Sequence, residues 1–293
     1  MTPTTAGRLN YLRRKPAMDI AHFFAQYGVF ILAMVGAGIF GGLIAGLLGV
    51  GGGIVIVPVL YFVLGALDTP EDLKMKIAVA TSLATIVITS LSSARSHASR
   101  GAVDYGLLRS WAPPVVLGVV VGTVLASFAK GWVLTLVFAV VALLVAINMI
   151  TRGKGASIWP DFPNRGIKFG LGGVVGLISS MMGIGGGTLS VPILTAVGFE
   201  IRRAVGTASA IGFLIAIPGS IGYIITGWGV AGLPPGSLGY VNLLAFVALV
   251  PLTTLFAPVG ARLAHTIPPR VLGYAFGGFL IVTSLKMFSD LIF

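Results

Sequence analysis

Two runs of glycine, each in the middle of a long apolar stretch, constrain this chain more than any other feature. Gly49-Val50-Gly51-Gly52-Gly53 is the first and Gly183-Ile184-Gly185-Gly186-Gly187 the second. Their surroundings align without gaps: GLIAGLLGVGGGIVIVP at 42–58 and GLISSMMGIGGGTLSVP at 176–192 share nine of seventeen positions at an offset of 134. A glycine cluster opens the helical hydrogen-bond ladder and frees backbone N–H and C=O groups. Hydrocarbon cannot satisfy them, so such a break persists only where it is buried in protein or lines a watery cavity. Matching breaks in two halves of one chain point to a transport site at the interface of two repeats.

The surrounding stretches fix the solvent. Only 9% of the 293 residues are charged, against about 25% in a soluble domain. No Asp, Glu, Lys or Arg occurs in 20–67, 77–94, 110–129, 131–151, 169–199 or 204–261. A span needs roughly 20 apolar residues, so the chain is expected to be an all-α polytopic membrane protein. Each half is read as a glycine-broken helical element followed by about three transmembrane helices. The net charge of +11 does not indicate nucleic acid, because the cations fall between apolar runs, as the positive-inside rule expects. With no cysteine, disulfides and thiolate chemistry are excluded.

Taken in order, residues 1–16 read as a cytoplasmic tail, 17–151 as repeat 1, 152–168 as a cytoplasmic hinge and 169–293 as repeat 2. Residues 17–48 would run roughly 48 Å as one helix, longer than the ~30 Å hydrocarbon core. Helices are expected at about 77–94, 110–129, 131–151, 204–226, 239–261 and 270–289, with a loop at 68–76. The second broken element, 169–184 plus 188–199, offers two arms too short to cross, so a hairpin that enters and leaves on one side is the economical reading. Gly38, Gly42 and Gly46, and again Gly118 and Gly122, fall four apart on one helix face. That pattern marks close packing, within the chain or in a homodimer. Two further alignments extend the duplication: Ala78–Thr81 with Ala204–Thr207 at an offset of 126, and 122–150 with 260–288 at 138.

Loop charge changes between the halves. The loop after the second helix carries Arg95, Arg100 and Arg109, while its counterpart 227–238 is uncharged; the loop at 68–76 leans acidic, while its counterpart holds Arg202 and Arg203. This is expected if one half is inverted in the membrane. The N-terminus, the 95–109 loop, the hinge and the 262–270 loop would then lie inside, and the first segment must cross once more than its copy.

The candidate anion-binding residues cluster at the breaks. A half-helix starting after each glycine run presents N–H groups without partners and roughly half a positive charge, an anion site that needs no charged side chain. Gly49, Gly51, Gly52, Gly53, Gly183, Gly185, Gly186 and Gly187 are assigned to it. Thr81, Ser82, Thr207 and Ser209 either donate to the anion or bond back to their own helix. Lys76 and Arg202, each five residues before a matched threonine, either recruit anions or anchor at headgroups. Arg262 matches Val124 inside a helix, so it either serves the site or snorkels to the interface. All eight carboxylates fall in loops or at span ends, which argues against a carboxylate proton relay. The glycine runs lack the Lys-Ser/Thr ending of a phosphate loop, and no nucleophile elbow or helical metal spacing occurs. No catalytic residue, metal or cofactor is expected.

The paired glycine runs, each followed by proline (Pro58, Pro192), the Ala-Val-Ala-Thr and Ala-Val-Gly-Thr segments and the closing glycine-rich helices resemble the TauE/SafE sulfite exporter family over about 28–290. Ala80, where the copy has Gly206, departs from the pattern. The resemblance implies a transporter of sulfur-containing anions in a bacterial inner membrane, with the break glycines, Thr81 and Thr207 at its site. The expected function is export of sulfite or an organosulfonate such as sulfoacetate or taurine by alternating access. An uptake permease or a channel for thiosulfate or another small anion is the alternative. The expected partners are that anion and the lipid bilayer, with no nucleic acid.

Overall fold

The computed structural model describes residues 20–48, 51–151, 159, 161–263 and 269–292. Ten helices lie in this part of the chain: α1 (Ile20–Leu48), α2 (Gly53–Ala66), α3 (Glu71–Ala98), α4 (Tyr105–Phe128), α5 (Gly131–Thr151), α6 (Arg165–Met182), α7 (Gly187–Ala196), α8 (Ile201–Thr226), α9 (Leu243–Leu263) and α10 (Pro269–Ile292). The exception to helix is a hairpin of two-residue strands, Ser237–Leu238 against Val241–Asn242, before α9. Five helices, α3, α4, α5, α8 and the Leu243–Gly260 part of α9, are long and apolar enough to cross a membrane. Leu117, Val120, Val121, Val124, Leu125 and Phe128 all stand exposed on α4, a contiguous apolar face that lipid, not water, tolerates.

Helix ends sit where local chemistry sets them, and several differ from the pattern-based boundaries. The acidic stretch expected as a loop is the first turn of α3. Pro70 stands at its N-cap, and Glu71 and Asp72 follow, with Arg95 and His97 in the last turn. Both ends complement the helix dipole. The Asn164 side chain accepts from the Ile167 N–H and starts α6 at Arg165, inside the stretch read as hinge. The second broken element is therefore one arm of 18 residues and one of 10, the former longer and the latter shorter than the expected 169–184 and 188–199. The first pairs a 29-residue helix with one of 14.

The glycine faces do pack tightly, and their partners come from the other half of the chain. α1 lies along α9, and α6 along α4. A Cβ on Gly42 would sit 2.8 Å from the Thr253 carbonyl oxygen, and one on Gly260 only 2.0 Å from that of Leu43. At the α4–α6 crossing, a Cβ on Gly118 would meet the Gly173 oxygen at 2.1 Å. α3 and α8 pack on each other at the centre, α5 on α10, α4 on α8 and α9 on α3. Exchanging the first five helices for the last five maps every one of these pairings onto another or onto itself.

Lys76 is placed unlike either expectation for it. It lies in the second turn of α3, is 8% exposed, and donates from Nζ to the Ser127 carbonyl at 3.0 Å while standing over the Tyr240 ring. A buried cation on the last carbonyls of α4 is favoured by that helix's dipole. It is a structural cap rather than a recruiter at the surface.

Candidate functional site

The two glycine breaks meet. A Cβ on Gly53 would lie 2.5 Å from the Gly183 carbonyl oxygen, and one on Gly51 would lie 4.0 Å from the Gly185 Cα. Ser82 Oγ donates to the Gly183 oxygen at 2.6 Å, so a side chain of the first half satisfies a carbonyl freed by the break in the second. Gly183 ends α6 in the left-handed region (φ 69°), while at the first break Gly51 and Gly52 hold that conformation (φ 79° and 75°). The matched glycines are therefore not conformational copies. Pro58 and Pro192 occupy the sixth residue of α2 and α7. Each withdraws the N–H that would otherwise bond to a carbonyl in the first turn.

Between the breaks runs a narrow cleft. Gly51 of the first break and Gly185 and Gly187 of the second line it. α3 contributes Ile86 and Ser90, and α8 contributes Ala208, Ser209 and Gly212. In this conformation the cleft does not admit a water molecule, so a ligand enters only if the surrounding helices part. Half-helices α2 and α7 both begin here, each with orphan N–H groups and a positive dipole end.

The residues singled out from sequence thus separate into groups. Gly51, Gly185, Gly187 and Ser209 line the cleft, and Gly52, Gly53, Gly183 and Gly186 pack around it. Gly49 lies outside the described residues, as does the side chain of Arg262. Arg202 is exposed at the start of α8, away from the cleft, while its neighbour Arg203 pairs with Asp104 at 2.7 Å. Thr81 and Thr207 are fully buried and share one role. Thr81 Oγ1 accepts from the Asn242 N–H at 2.9 Å, and Thr207 Oγ1 accepts from the Asp104 N–H at 2.9 Å. Asp104 and Asn242 match at the 138 offset, and each caps the helix that follows by accepting from the N–H three residues on, Leu107 and Ala245. The paired threonines thus pin two homologous helix starts.

Sequence reasoning missed Ile86, Ser90, Ala208 and Gly212. The signal was a hydroxyl ladder along α3, with Thr81, Thr85 and Thr89 four apart beside Ser82 and Ser90. Most of these hydroxyls bond within the helix, Thr85 to the Thr81 carbonyl and Ser90 to that of Ile86. They lower the polarity cost of a buried helix without exposing a charge.

The homologous caps carry a test. Asn242 does without charge what Asp104 does with it, and the Arg203–Asp104 pair is half-exposed on the arginine side, where screening leaves ion pairs about 0–1 kcal/mol. Asp104→Asn is therefore expected to change stability by less than about 1 kcal/mol. Asp104→Ala, which removes the cap, should cost about 1–2 kcal/mol. Thermal unfolding in detergent reads both, and equal losses would place the energy in the ion pair instead.

A polytopic helical protein whose two glycine breaks meet in a cleft belongs structurally with membrane transporters. The comparisons narrow this to a family. The sulfite exporter TauE/SafE profile matches residues 34–287, and the chain belongs to that family. It is 35% identical to a probable membrane transporter protein of Haemophilus influenzae over 88% of this chain and 98% of the relative. It is 25% identical to the probable membrane transporter protein YunE of Bacillus subtilis, covering 90% and 99% of the two chains. A probable membrane transporter protein, MJ0441, of Methanocaldococcus jannaschii is 26% identical over 84% and 91%. No solved structure matches the chain significantly.

Proposed function

We propose that this transporter exports a small sulfur-containing anion, sulfite or an organosulfonate such as sulfoacetate or taurine, across a bacterial inner membrane by alternating access. The observation that carries the proposal is the meeting of the two breaks. Gly53 against Gly183 and Gly51 against Gly185 put two half-helix starts at one cleft, where unpaired N–H groups favour negative charge. The exchange pattern of helix packing supports two related repeats, and the change of loop charge between the halves supports their inversion, an arrangement that can rock around a shared site. The sulfur substrate rests on the family's description. Residues of both halves line the cleft, Gly51, Ile86 and Ser90 from the first and Gly185, Gly187 and Ser209 from the second.

Counterflow in proteoliposomes tests this. Liposomes loaded with sulfite, sulfoacetate, taurine, thiosulfate, sulfate or chloride are offered the labelled anion outside. A carrier gives saturable uptake that the same internal anion accelerates. Uptake without trans-acceleration would favour a channel, and failure of every sulfur anion with folded, inserted protein would remove the substrate class.

A further inference from the structure

The hydroxyls around the two breaks are distributed unequally. At the second break Ser179, Thr188 and Ser190 are 0%, 5% and 0% exposed, and none of their oxygens has a hydrogen-bond partner. Their counterparts at the first break, by the 134 offset, are Ala45, Ile54 and Ile56, all buried. A hydroxyl in a membrane helix ordinarily bonds back to a carbonyl one turn earlier, as those of α3 do. Three that do not are groups awaiting a partner: Thr188 and Ser190 in the first turn of α7, and Ser179 in the last turn of α6. Ser190 Oγ lies 3.4 Å from where a Cβ on Gly186 would stand, so it is turned toward the N-cap of α7 and its orphan amides.

Space is unequal too. Ile86 and Gly212 match at the 126 offset. Ile86 fills the volume against Gly51 and Gly53, whereas a Cβ on Gly212 would find Gly185 and Gly186 at no closer than 3.7 Å. A Cβ on Gly212 would also stand 3.6 Å from the Ser90 Cβ, ordinary contact, so in this closed conformation the second-break side is less tightly filled by one methyl group, with the Ile211 and Ile215 side chains beside Gly186.

The donors there are all neutral, because 169–199 and 204–261 contain no charged residue. The cost of removing an ion from water rises steeply with its charge, and dipoles and hydroxyls without a countercation offset one charge far better than two. We infer that the second break alone, through the start of α7 with Ser179, Thr188 and Ser190, binds the oxygens of the anion, that Ile211 and Ile215 form an apolar wall, and that the site selects singly charged R–SO3− anions over dianions. The inference rests on the anion-transport reading and narrows it to a one-sided site for monoanions: sulfite would be carried as hydrogensulfite, and the dianions sulfoacetate and thiosulfate would be excluded.

The test uses purified full-length protein in detergent, titrated with sodium methanesulfonate or sodium sulfate at matched ionic strength, with thermal stabilisation as the readout. Methanesulfonate is expected to stabilise saturably, and sulfate to give only the non-saturating rise of an excluded salt. Thr188→Val and Ser190→Ala should each raise the half-saturating methanesulfonate concentration about tenfold, the loss of one charge-assisted hydrogen bond. Ile54→Val, at the matching place in the first break, should leave it unchanged. Sulfate binding as well as methanesulfonate, or Ile54→Val weakening it as much as the hydroxyl variants, would overturn the inference while leaving anion transport standing. No response to either salt, together with no counterflow of any sulfur anion, would overturn both.

Discussion

Gly176→Val is expected to abolish the folded protein. The Cβ alone would sit 2.0 Å from the Val115 carbonyl oxygen and 2.9 Å from its carbon. Both are backbone atoms of α4, so no side-chain rotation relieves the contact and the helices must separate. Overpacking a well-packed site costs about 1–3 kcal/mol when neighbours yield. Here they cannot, and the α4–α6 crossing that joins the halves is the part lost. Extraction in mild detergent followed by size exclusion should show aggregate in place of a single peak. Gly170→Ala on the same helix, where a Cβ meets nothing within 4 Å, should run as wild type. A monodisperse Gly176→Val would mean that the close crossing is not needed for folding.

The second large effect separates two glycines that the sequence alignment treats as equivalent. Gly52 and Gly186 match at the 134 offset, and from sequence alone either would be expected to yield a folded, inactive protein when replaced. Their structures differ. Gly52 has φ 75° and a Cβ there would stand 2.6 Å from the Gly41 carbonyl oxygen. For a side chain the left-handed conformation costs about 1–2 kcal/mol, and the collision with backbone adds to it. Gly186 has φ −42°, open to any residue, and its Cβ would meet the Cδ1 of Ile215 at 2.7 Å, a methyl end that can swing, and the Cγ2 of Ile211 at 3.0 Å, a branch methyl that yields only by a small helix shift. Gly52→Ala should therefore reduce the yield of folded protein. Gly186→Ala should fold and insert yet crowd the start of α7. At about 1–3 kcal/mol of overpacking, substrate affinity falls roughly ten- to a hundredfold. Counterflow normalised to inserted protein measures it, and wild-type transport by Gly186→Ala would detach that glycine from the site.

This contrast marks what the sequence could and could not convey. Apolar run length gave every helix from α3 to α5 and from α8 to α10 to within a few residues at most ends, and the α5 boundaries agree outright. The spacing of Gly38 and Gly42, and of Gly118 and Gly122, marked faces of close approach. It could not name the partner, because a small-residue face reports the distance a neighbour will reach and not which neighbour arrives. That α1 seeks α9, and α6 seeks α4, is settled by the packing of the whole. The paired breaks marked where the two halves of the chain meet, but Thr81 and Thr207 owe their matched positions to Asn242 and Asp104, over a hundred residues away in each case. A hydroxyl's partner at that range leaves no local trace. The boundary at Arg165 was missed because two cations near a helix start look like loop until the Asn164 cap is seen.

Alternating access requires that the cleft between the breaks be reached in turn from the two faces of the membrane. The chain contains no cysteine, so a single Ser90→Cys substitution, at the cleft wall, reports on it without background. The measurement is the rate at which the introduced thiol reacts with a membrane-impermeant maleimide in sealed proteoliposomes of the transport-competent variant, with reagent outside or trapped inside. Modification from each face, slowed by the transported anion from both, is the result predicted. A variant that transports at the wild-type rate while reacting from one face only, or reacting equally fast with and without the anion, would contradict it.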